Sequence, residues 1–260
     1  MGYKPFDLTG KVALVTGGNG GIGLGMAQAL ADAGADIAIW GTNADKNCAA
    51  EAALKASGRR VLAQTVDVAN ELQVVEGMKT VIDKLGRVDT VIANAGIGIG
   101  SRSFLDITIE QFRKVVSVNQ EGAFLTLREA ARHMRDRASK GDAGGSLAVV
   151  ASLAAIEGAA RNQHYAATKG AVVSMMRAIA VEFGRDGVRA NAILPGWIAT
   201  DMTAMAQTSS NFTDKVISRV PSRRWGQPAD FGGIAVYLAS DASAYHSGDT
   251  FVIDGGYAVF

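Results

Sequence analysis

The chain has 260 residues, of which 48% are hydrophobic and 20% are charged, and its formal net charge is +1. This balance excludes a collagen-like or disordered chain, because the apolar content is sufficient for a core and glycine follows no three-residue period. A charge near zero gives no electrostatic reason to expect a nucleic acid partner. No uncharged apolar run approaches the ~18 residues of a membrane-spanning helix, so we expect no membrane association.

Cysteine usage and the start of the chain predict the cellular compartment. The single cysteine, Cys48, cannot form an intramolecular disulfide, and no cysteine and histidine cluster has the spacing of a zinc site. We therefore expect no bound metal and a reducing environment. The first residues contain no apolar segment typical of a secretion signal, which favours a cytoplasmic protein.

Short strands rich in branched residues alternate with longer segments of helical periodicity. We predict strands at 11–16, 36–40, 61–66, 89–93, 146–151, 189–194 and 250–253. The predicted helices cover 21–33, 44–57, 71–85, about 109–137, 165–183 and 229–239. Strands that are apolar on both faces and separated by helices are typical of a parallel sheet covered on both sides. The pattern predicts a single doubly wound α/β domain over residues 1–260.

The alternation lapses at 197–224, where Met202, Met205 and Phe212 are scattered among polar residues. Such a segment, after a strand of a ligand-binding sheet, is a candidate lid over the substrate. A pair of ordinary surface helices is an equally good interpretation of the same residues.

Glycine accounts for 31 residues, roughly 13 more than average usage predicts. Five of them fall within the seven positions directly after the first strand, Gly17-Gly18-Asn19-Gly20-Gly21-Ile22-Gly23. Such a turn lets backbone N–H groups approach a pyrophosphate at the N-terminus of the following helix. A purely structural turn needs fewer glycines, and no Walker lysine follows. The motif therefore predicts dinucleotide binding rather than a P-loop nucleotidase.

The end of the second strand bears on the choice of dinucleotide. An acid at this position usually accepts hydrogen bonds from the adenosine ribose. Here the position is Gly41, and the side chains of Thr42, Asn43 and Lys46 could donate to the 2′-phosphate of NADP. No arginine is present to clamp that phosphate. The sequence therefore favours NADP weakly and leaves NAD open.

A tyrosine and a lysine stand four residues apart on the helix after the fifth strand. Tyr165 and Lys169 thus share one helix face, where an ammonium lowers the pKa of a phenol from its usual ~10. This makes Tyr165 a candidate general acid and base for carbonyl and alcohol chemistry. Ser152 and Asn94-Ala95-Gly96 follow strands whose ends face the same crevice of such a sheet, and Asn119 lies within an otherwise apolar helix.

In order and spacing these residues resemble the short-chain dehydrogenase/reductase family over nearly the whole chain, and in particular its 3-oxoacyl carrier-protein reductases. The matching motifs are Thr16-Gly17-x-x-x-Gly21-Ile22-Gly23, Asp67-Val68, Asn94-Ala95-Gly96, Asn119, Ser152, Tyr165-x-x-x-Lys169, Pro195-Gly196 with Thr200, and Asp254-Gly255-Gly256. The resemblance implies a Rossmann-type parallel sheet of seven strands in the order 3-2-1-4-5-6-7, with helices on both faces. It also implies assembly as a homotetramer or homodimer.

The resemblance also implies catalytic roles for four residues. Tyr165 would donate a proton to a carbonyl during reduction and accept one during oxidation. Lys169 would lower the pKa of Tyr165 and bind the nicotinamide ribose. Ser152 would orient the substrate oxygen, and Asn119 would hold a water in a proton relay beneath Lys169.

A binding site for NAD(P)(H) spread over the whole chain follows from the same resemblance. The glycine-rich turn would bind the pyrophosphate, Asp67 and Val68 the adenine, and 195–200 the carboxamide. The predicted cofactor contacts are Gly17, Asn19, Gly20, Gly21, Ile22, Gly41, Thr42, Asn43, Asp67, Val68, Asn94, Ala95, Gly96, Tyr165, Lys169, Pro195, Gly196, Ile198 and Thr200.

The leading hypothesis is an NAD(P)-dependent oxidoreductase that interconverts a secondary alcohol and a ketone, with a small molecule as its partner. The alternative is a catalytically idle dinucleotide sensor or scaffold, which would be expected to lack a catalytic side chain. An enoyl reductase is disfavoured because the separation of tyrosine and lysine is wider in that relative. The candidate substrate pocket is mostly apolar, which favours a hydrophobic ketone over a free sugar. It comprises Gly98, Gly100, Leu153, Ala154, Arg161, His164, Trp197, Met202, Met205 and Phe212.

Overall fold

A parallel sheet of seven strands forms the centre of the molecule. The computed structural model describes residues 4–260, so residues 1–3 of the predicted domain lie outside the described residues. The strands are β1 (Val12–Thr16), β2 (Asp36–Gly41), β3 (Val61–Thr65), β4 (Thr90–Ala93), β5 (Gly145–Val150), β6 (Val188–Pro195) and β7 (Thr250–Ile253). Their order is β3-β2-β1-β4-β5-β6-β7, and all neighbouring pairs are parallel. The predicted doubly wound sheet and its strand order are confirmed.

Helices connect the strands, and several begin at side chains that cap their first turn. The helices are α1 (Gly21–Asp32), α2 (Ala44–Lys55), α3 (Glu71–Leu85), α4 (Ile109–Val116), α5 (Gly122–Ala138), α6 (Ala154–Glu157), α7 (Gln163–Phe183), α8 (Ala204–Gln207), α9 (Ser210–Arg219) and α10 (Gly232–Ala239). Asn43 caps α2 and Asn70 caps α3, because each side-chain oxygen accepts a hydrogen bond from a free backbone N–H of the first turn.

Two apolar layers cover the two faces of the sheet. Successive strand residues point to opposite faces, so Leu14 and Val15 are both fully buried but belong to different layers. The first layer packs against α3, α5 and α7, and the second against α1, α2 and α10. Trp40 is the largest fully buried side chain, and its Nε1 donates to Gln64 Oε1 at 3.0 Å. Burial on both faces explains why the inner strands β1, β2 and β4 are mostly apolar.

The predicted helix at 109–137 is divided by one turn of π-helix, Ser117–Glu121. A π turn holds one more residue than an α turn, and it shifts the side chain of Asn119 out of the regular helical register. Asn119 is thereby buried against the loop after β4: its Oδ1 accepts from Ile97 N at 2.8 Å, and its Nδ2 donates to Ile97 O at 2.9 Å. Both functions of the amide are therefore used.

The segment 197–224 folds into a short 3₁₀ turn followed by α8 and α9. Trp197 anchors it through edge contacts with Phe212 and Trp225, whose ring centres lie 5.2 and 6.0 Å away. Within the segment, Val216 and Val220 are buried. Within residues 4–260, no helix is both long enough and apolar enough to span a bilayer.

Candidate active site

A cavity of about 760 Å³ lies along the carboxyl ends of the strands. Its wall comes from the loops that leave β1, β4, β5 and β6, as expected where the strand order of a doubly wound sheet reverses. Helix α7 completes the wall with Tyr165 and Lys169. Residues far apart in the sequence are thus brought to one crevice.

The glycine-rich turn after β1 has no room for side chains at its tightest points. A Cβ at Gly18 would lie 2.6 Å from Ile39 Cγ2, and a Cβ at Gly23 would overlap the carbonyl oxygen of Gly17. Gly17 itself has a φ of +61°. Helix α1 begins without a side-chain cap, so its first N–H groups remain available to a ligand. The turn therefore fits a pyrophosphate at the N-terminus of a helix.

Two amide side chains close the end of β2 around Gly41. Asn19 Nδ2 donates to Asn47 Oδ1 at 2.7 Å, and Asn47 Nδ2 donates to the carbonyl oxygen of Gly41 at 3.0 Å. A Cβ at Gly41 would overlap the amide of Asn19 and lie 2.6 Å from Asn47 Oδ1. The carboxylate that usually binds an adenosine ribose therefore has no space here, and glycine is required for packing.

Asn94, at the end of β4, ties this strand to β1. Its Nδ2 donates to the carbonyl oxygen of Thr16 at 2.9 Å. Thr16 Oγ1 in turn accepts from the backbone N–H groups of Asn94 and Ala95, both at 3.0 Å. These bonds fix the two strand ends that form the floor of the cavity.

Tyr165 and Ser152 both line the cavity. Burial raises the pKa of the Tyr165 phenol, and a hydrogen bond with the Ser152 side chain partly opposes this effect. The expected lowering of the Tyr165 pKa by Lys169 is not found. The reason is geometric: Lys169 Nζ lies 5.5 Å from the centre of the Tyr165 ring and donates to the carbonyl oxygen of Val150 at 2.8 Å.

Lys169 is almost fully buried, and burial lowers its pKa from 10.5 to about 8. A Cβ at Gly96 would lie 3.4 Å from Lys169 Nζ and 3.3 Å from Asn119 Oδ1, so glycine leaves both groups access to the cavity edge. Asn119 Nδ2 also donates to Thr168 Oγ1 at 3.3 Å. Asn119 and Lys169 are thereby held beside each other beneath Gly96.

Most predicted site residues reach the cavity wall. Those that line it are Gly17, Asn19, Gly20, Gly21, Ile22, Asn94, Ala95, Gly96, Ser152, Tyr165, Lys169, Pro195, Gly196, Ile198 and Thr200. The remaining predicted residues, which do not line it, are Gly41, Thr42, Asn43, Asp67, Val68 and Asn119. Asn119 lies beneath the wall. The other five residues lie in the segments that follow β2 and β3, at the same edge of the sheet. These two segments are joined by the hydrogen bond from Val66 N to the carbonyl oxygen of Gly41, at 3.2 Å.

The substrate end of the cavity differs in part from the predicted pocket. The predicted residues that line it are Gly98, Gly100, Leu153, Ala154, Trp197 and Met202, whereas Arg161, His164, Met205 and Phe212 do not. Phe212 packs against Trp197, and Met205 is exposed to solvent. His164 is buried, and this burial lowers the pKa of its imidazole. The sequence interpretation missed Glu157, Asn162, Asp201 and Tyr257, which line the cavity without belonging to a recognisable motif. Within residues 4–260, no group of three or more His, Cys, Asp or Glu side chains could hold a metal ion.

Comparison with known proteins agrees with this geometry. A family model described as "Enoyl-(Acyl carrier protein) reductase" matches residues 17–258. The chain is 34% identical to an L-rhamnose 1-dehydrogenase (NAD(P)(+)) of Sphingomonas sp. (strain SKA58), covering 97% of this chain and 98% of that protein. It is 33% identical to a 3-oxoacyl-(acyl-carrier-protein) reductase of Chlamydia pneumoniae, covering 96% and 97%.

Solved structures are similar over the same length. A gluconate 5-dehydrogenase from Burkholderia cenocepacia J2315, solved with NADP and tartrate, superimposes with a TM-score of 0.92 at 31% identity, covering 98% of each chain. Fold and cavity thus define an NAD(P)-dependent oxidoreductase that acts on secondary alcohols and ketones. The chain belongs to the short-chain dehydrogenase/reductase family.

Proposed function

We propose that Tyr165, Ser152, Lys169 and Asn119 form the catalytic set of this oxidoreductase. The observation that carries the proposal is that Tyr165, Ser152 and Lys169 line one cavity whose wall continues into the glycine-rich turn. The bound cofactor supplies or accepts a hydride. Three of these side chains line the wall and Asn119 lies beneath it, so nothing in the site favours the idle alternative.

Tyr165 acts as the general acid of ketone reduction. Because burial raises its pKa, the phenol is protonated at neutral pH and its Oη can donate a proton to the carbonyl oxygen of a ketone. The Ser152 hydroxyl polarises the same oxygen and holds it beside Tyr165. In the oxidation direction Tyr165 accepts the alcohol proton, which requires the phenolate.

Lys169 and Asn119 support this proton transfer. Lys169 Nζ lies on the cavity wall 5.5 Å from the centre of the Tyr165 ring, where it can bind the hydroxyls of a nicotinamide ribose. Asn119 positions the loop after β4 through its two hydrogen bonds with Ile97. In the proposed relay it would also hold a water beneath Lys169. The glycine-rich turn binds the pyrophosphate, and the predicted residues after β2 and β3 bind the adenosine.

The segment 197–224 serves as a lid within a single catalytic domain. Its first residues, Trp197, Met202 and Thr203, line the cavity, while α8 and α9 stand on the outside. Movement of such a segment would admit substrate and then exclude water from the reacting groups.

The charges of the wall favour an uncharged substrate. Among the described residues that line the cavity, the charged ones are Lys46, Glu157, Lys169 and Asp201. Lys46 is paired with Asp201, and Lys169 belongs to the proposed catalytic residues. Among the described residues that line the cavity, no other cation is therefore present to bind a substrate carboxylate. Trp197, Met202 and Tyr257 supply an apolar face beside the polar side chain of Asn162. A neutral alcohol or ketone suits this mixture, whether cyclic or a neutral sugar.

A substrate panel tests the proposed function. Purified protein would be assayed with NAD⁺ and NADP⁺ by the near-ultraviolet absorbance of reduced nicotinamide, using cyclohexanol, L-rhamnose and D-gluconate as hydrophobic, neutral sugar and anionic probes. We expect turnover of at least one neutral probe and the lowest kcat/KM with D-gluconate. Cofactor binding without turnover across a broader panel would support the idle alternative, and a preference for D-gluconate would contradict the charge argument.

Assembly and location complete the proposal. The exposed apolar side chains of Phe104, Leu105, Ile109, Phe112 and Phe124 follow one another within a short stretch of chain, which supports burial of this surface in a homotetramer or homodimer. Cys48 is exposed and free, as expected in the reducing cytoplasm. Light scattering coupled to gel filtration would measure the mass of the assembly, and a monomer would contradict this part of the proposal.

A further inference from the structure

An ion pair crosses the mouth of the cavity between two elements that are distant in sequence. Lys46 Nζ, in the first turn of α2, lies 2.5 Å from Asp201 Oδ2, in the turn that begins the lid. Both residues line the cavity together with the glycine-rich turn. Within residues 4–260, neither side chain has a second ion-pair partner. The pair therefore joins the adenosine end of the site to the lid.

Lys46 stands where the adenosine ribose of a bound dinucleotide is expected. It follows the carboxyl end of β2 by a single capping turn, in which its backbone N–H donates to Asn43 Oδ1 at 2.9 Å. This end of β2 carries no carboxylate, because the place of one is taken by Asn19 and Asn47. Lys46 is thus the cation available for a 2′-phosphate, which distinguishes NADP from NAD at this position.

Asp201 acts against that phosphate in two ways. Its carboxylate already holds the ammonium of Lys46, and its negative charge would repel a phosphate that binds the same ammonium. A phosphate monoester carries about 1.5 to 2 negative charges at neutral pH. The 2′-hydroxyl of NAD carries none, so it neither needs Lys46 nor meets repulsion.

We propose that Asp201 sets the cofactor preference by competing with the 2′-phosphate of NADP for Lys46. The inference rests on the proposed cofactor site, and it adds Asp201 of the lid to the residues that determine the preference for NADP or NAD. Removal of the carboxylate frees Lys46 and strengthens NADP(H) binding, whereas NAD(H) binding is unchanged. Because the 2′-phosphate displaces Asp201 from Lys46, NADP also loosens the first turn of the lid and NAD does not.

Cofactor binding without substrate tests the proposal. The fluorescence of NADPH and NADH would be titrated with the full chain and with the variants Asp201→Asn, Lys46→Met and the double variant. We expect Asp201→Asn to lower the Kd ratio of NADPH to NADH by about two- to fivefold, the range of an exposed ion pair. Lys46→Met raises that ratio by about tenfold, and in its background Asp201→Asn has little further effect.

A second ion pair provides the matched control. Lys79 Nζ and Asp83 Oδ2 on α3 are also exposed and also 2.5 Å apart, but neither lines the cavity. Asp83→Asn therefore makes the same change of charge and leaves both Kd values unaltered. An equal effect of Asp83→Asn, or a Kd ratio that Asp201→Asn leaves unchanged or raises, would overturn the proposal. Failure of the unmodified chain to bind either cofactor would overturn the oxidoreductase function as well.

Discussion

Replacement of Lys169 by methionine is expected to stabilise the protein while removing its activity. Lys169 is only 5% exposed, and its one recorded hydrogen bond goes to the carbonyl oxygen of Val150. Burial of an ammonium without a carboxylate partner destabilises the folded state. Methionine has a similar length and no charge, so it fills the same space without that cost.

The magnitude follows from the pKa of the lysine. A fall from 10.5 to about 8 corresponds to roughly 3 kcal/mol of unfavourable folding free energy when the amine is charged. Loss of the hydrogen bond to Val150 offsets ~1 kcal/mol of the gain. We therefore expect a net stabilisation of about 2 kcal/mol at pH 7, which raises the Tm by several degrees in a chain of this size.

The pH dependence gives this prediction its sharpest form. Below pH 8 the lysine is charged in both the folded and the unfolded state, and the full cost is present. Between about 8 and 10.5 the folded protein releases the proton while the unfolded chain retains it, so the cost declines as pH rises. Above that range the cost is gone and only the loss of the hydrogen bond to Val150 remains, so the unmodified chain should be the more stable of the two by ~1 kcal/mol.

Differential scanning calorimetry of both proteins, at equal concentration and from pH 6 to above pH 10, measures this difference. The Tm advantage of Lys169→Met should be largest at neutral pH and shrink above pH 8. A variant that is less stable than the unmodified chain at neutral pH would refute the reasoning, as would a Tm advantage of the variant that grows above pH 8.

Three further predictions concern the glycine-rich turn, the end of β2 and the general acid Tyr165. Gly23→Ala places a methyl group against the carbonyl oxygen of Gly17 and should weaken NADPH binding by at least about tenfold in a fluorescence titration. The control Gly233→Ala, whose methyl group would meet no atom of the described residues within 4 Å, should leave NADPH binding unchanged. Gly41→Asp should lower the free energy of unfolding by about 2 kcal/mol through its overlap with Asn19 and Asn47. The double variant with Asn19→Gly removes one of the two overlaps, so it should regain part of the lost stability in urea and prefer NADH, and a stable single variant would contradict the packing argument. Because burial raises the pKa of Tyr165, kcat/KM for alcohol oxidation should increase with pH up to at least ~10, whereas kcat/KM for ketone reduction should not change near neutral pH. Both pH profiles would be measured, and a decline of the oxidation rate over that range would show that another group accepts the proton.

The sequence predicts the sheet well because its information is local and repeated. Inner strands that are mostly apolar on both faces, and connections with helical periodicity, together predict a parallel sheet. The strand order follows only from the resemblance to the short-chain dehydrogenase/reductase family, and the structure confirms it. The glycine-rich turn and the spacing of Tyr165 and Lys169 likewise lie within short stretches, and both reach the cavity wall.

What the sequence could not predict depends on contacts between distant residues. The π turn that buries Asn119 follows from its bonds to Ile97, which no periodicity reveals. The space beside Gly41 is filled partly by Asn47, which comes from the next helix. The sequence alone could show only that no acid stands at position 41, and it left the choice between NAD and NADP open. Tyr257 and Asp201 come from the last turn of the chain and from the lid, and they carry no motif.

The acid and base role of Tyr165 is the central claim, and the variant Tyr165→Phe tests it most directly. Phenylalanine keeps the ring and removes only the hydroxyl that meets Ser152. Steady-state turnover of the best substrate from the panel would be compared with the Kd of NADPH, and Tyr245→Phe, at an exposed tyrosine, serves as the control. The account predicts that kcat falls by about a thousandfold while the Kd stays within about twofold. A variant that retains most of its kcat would contradict it.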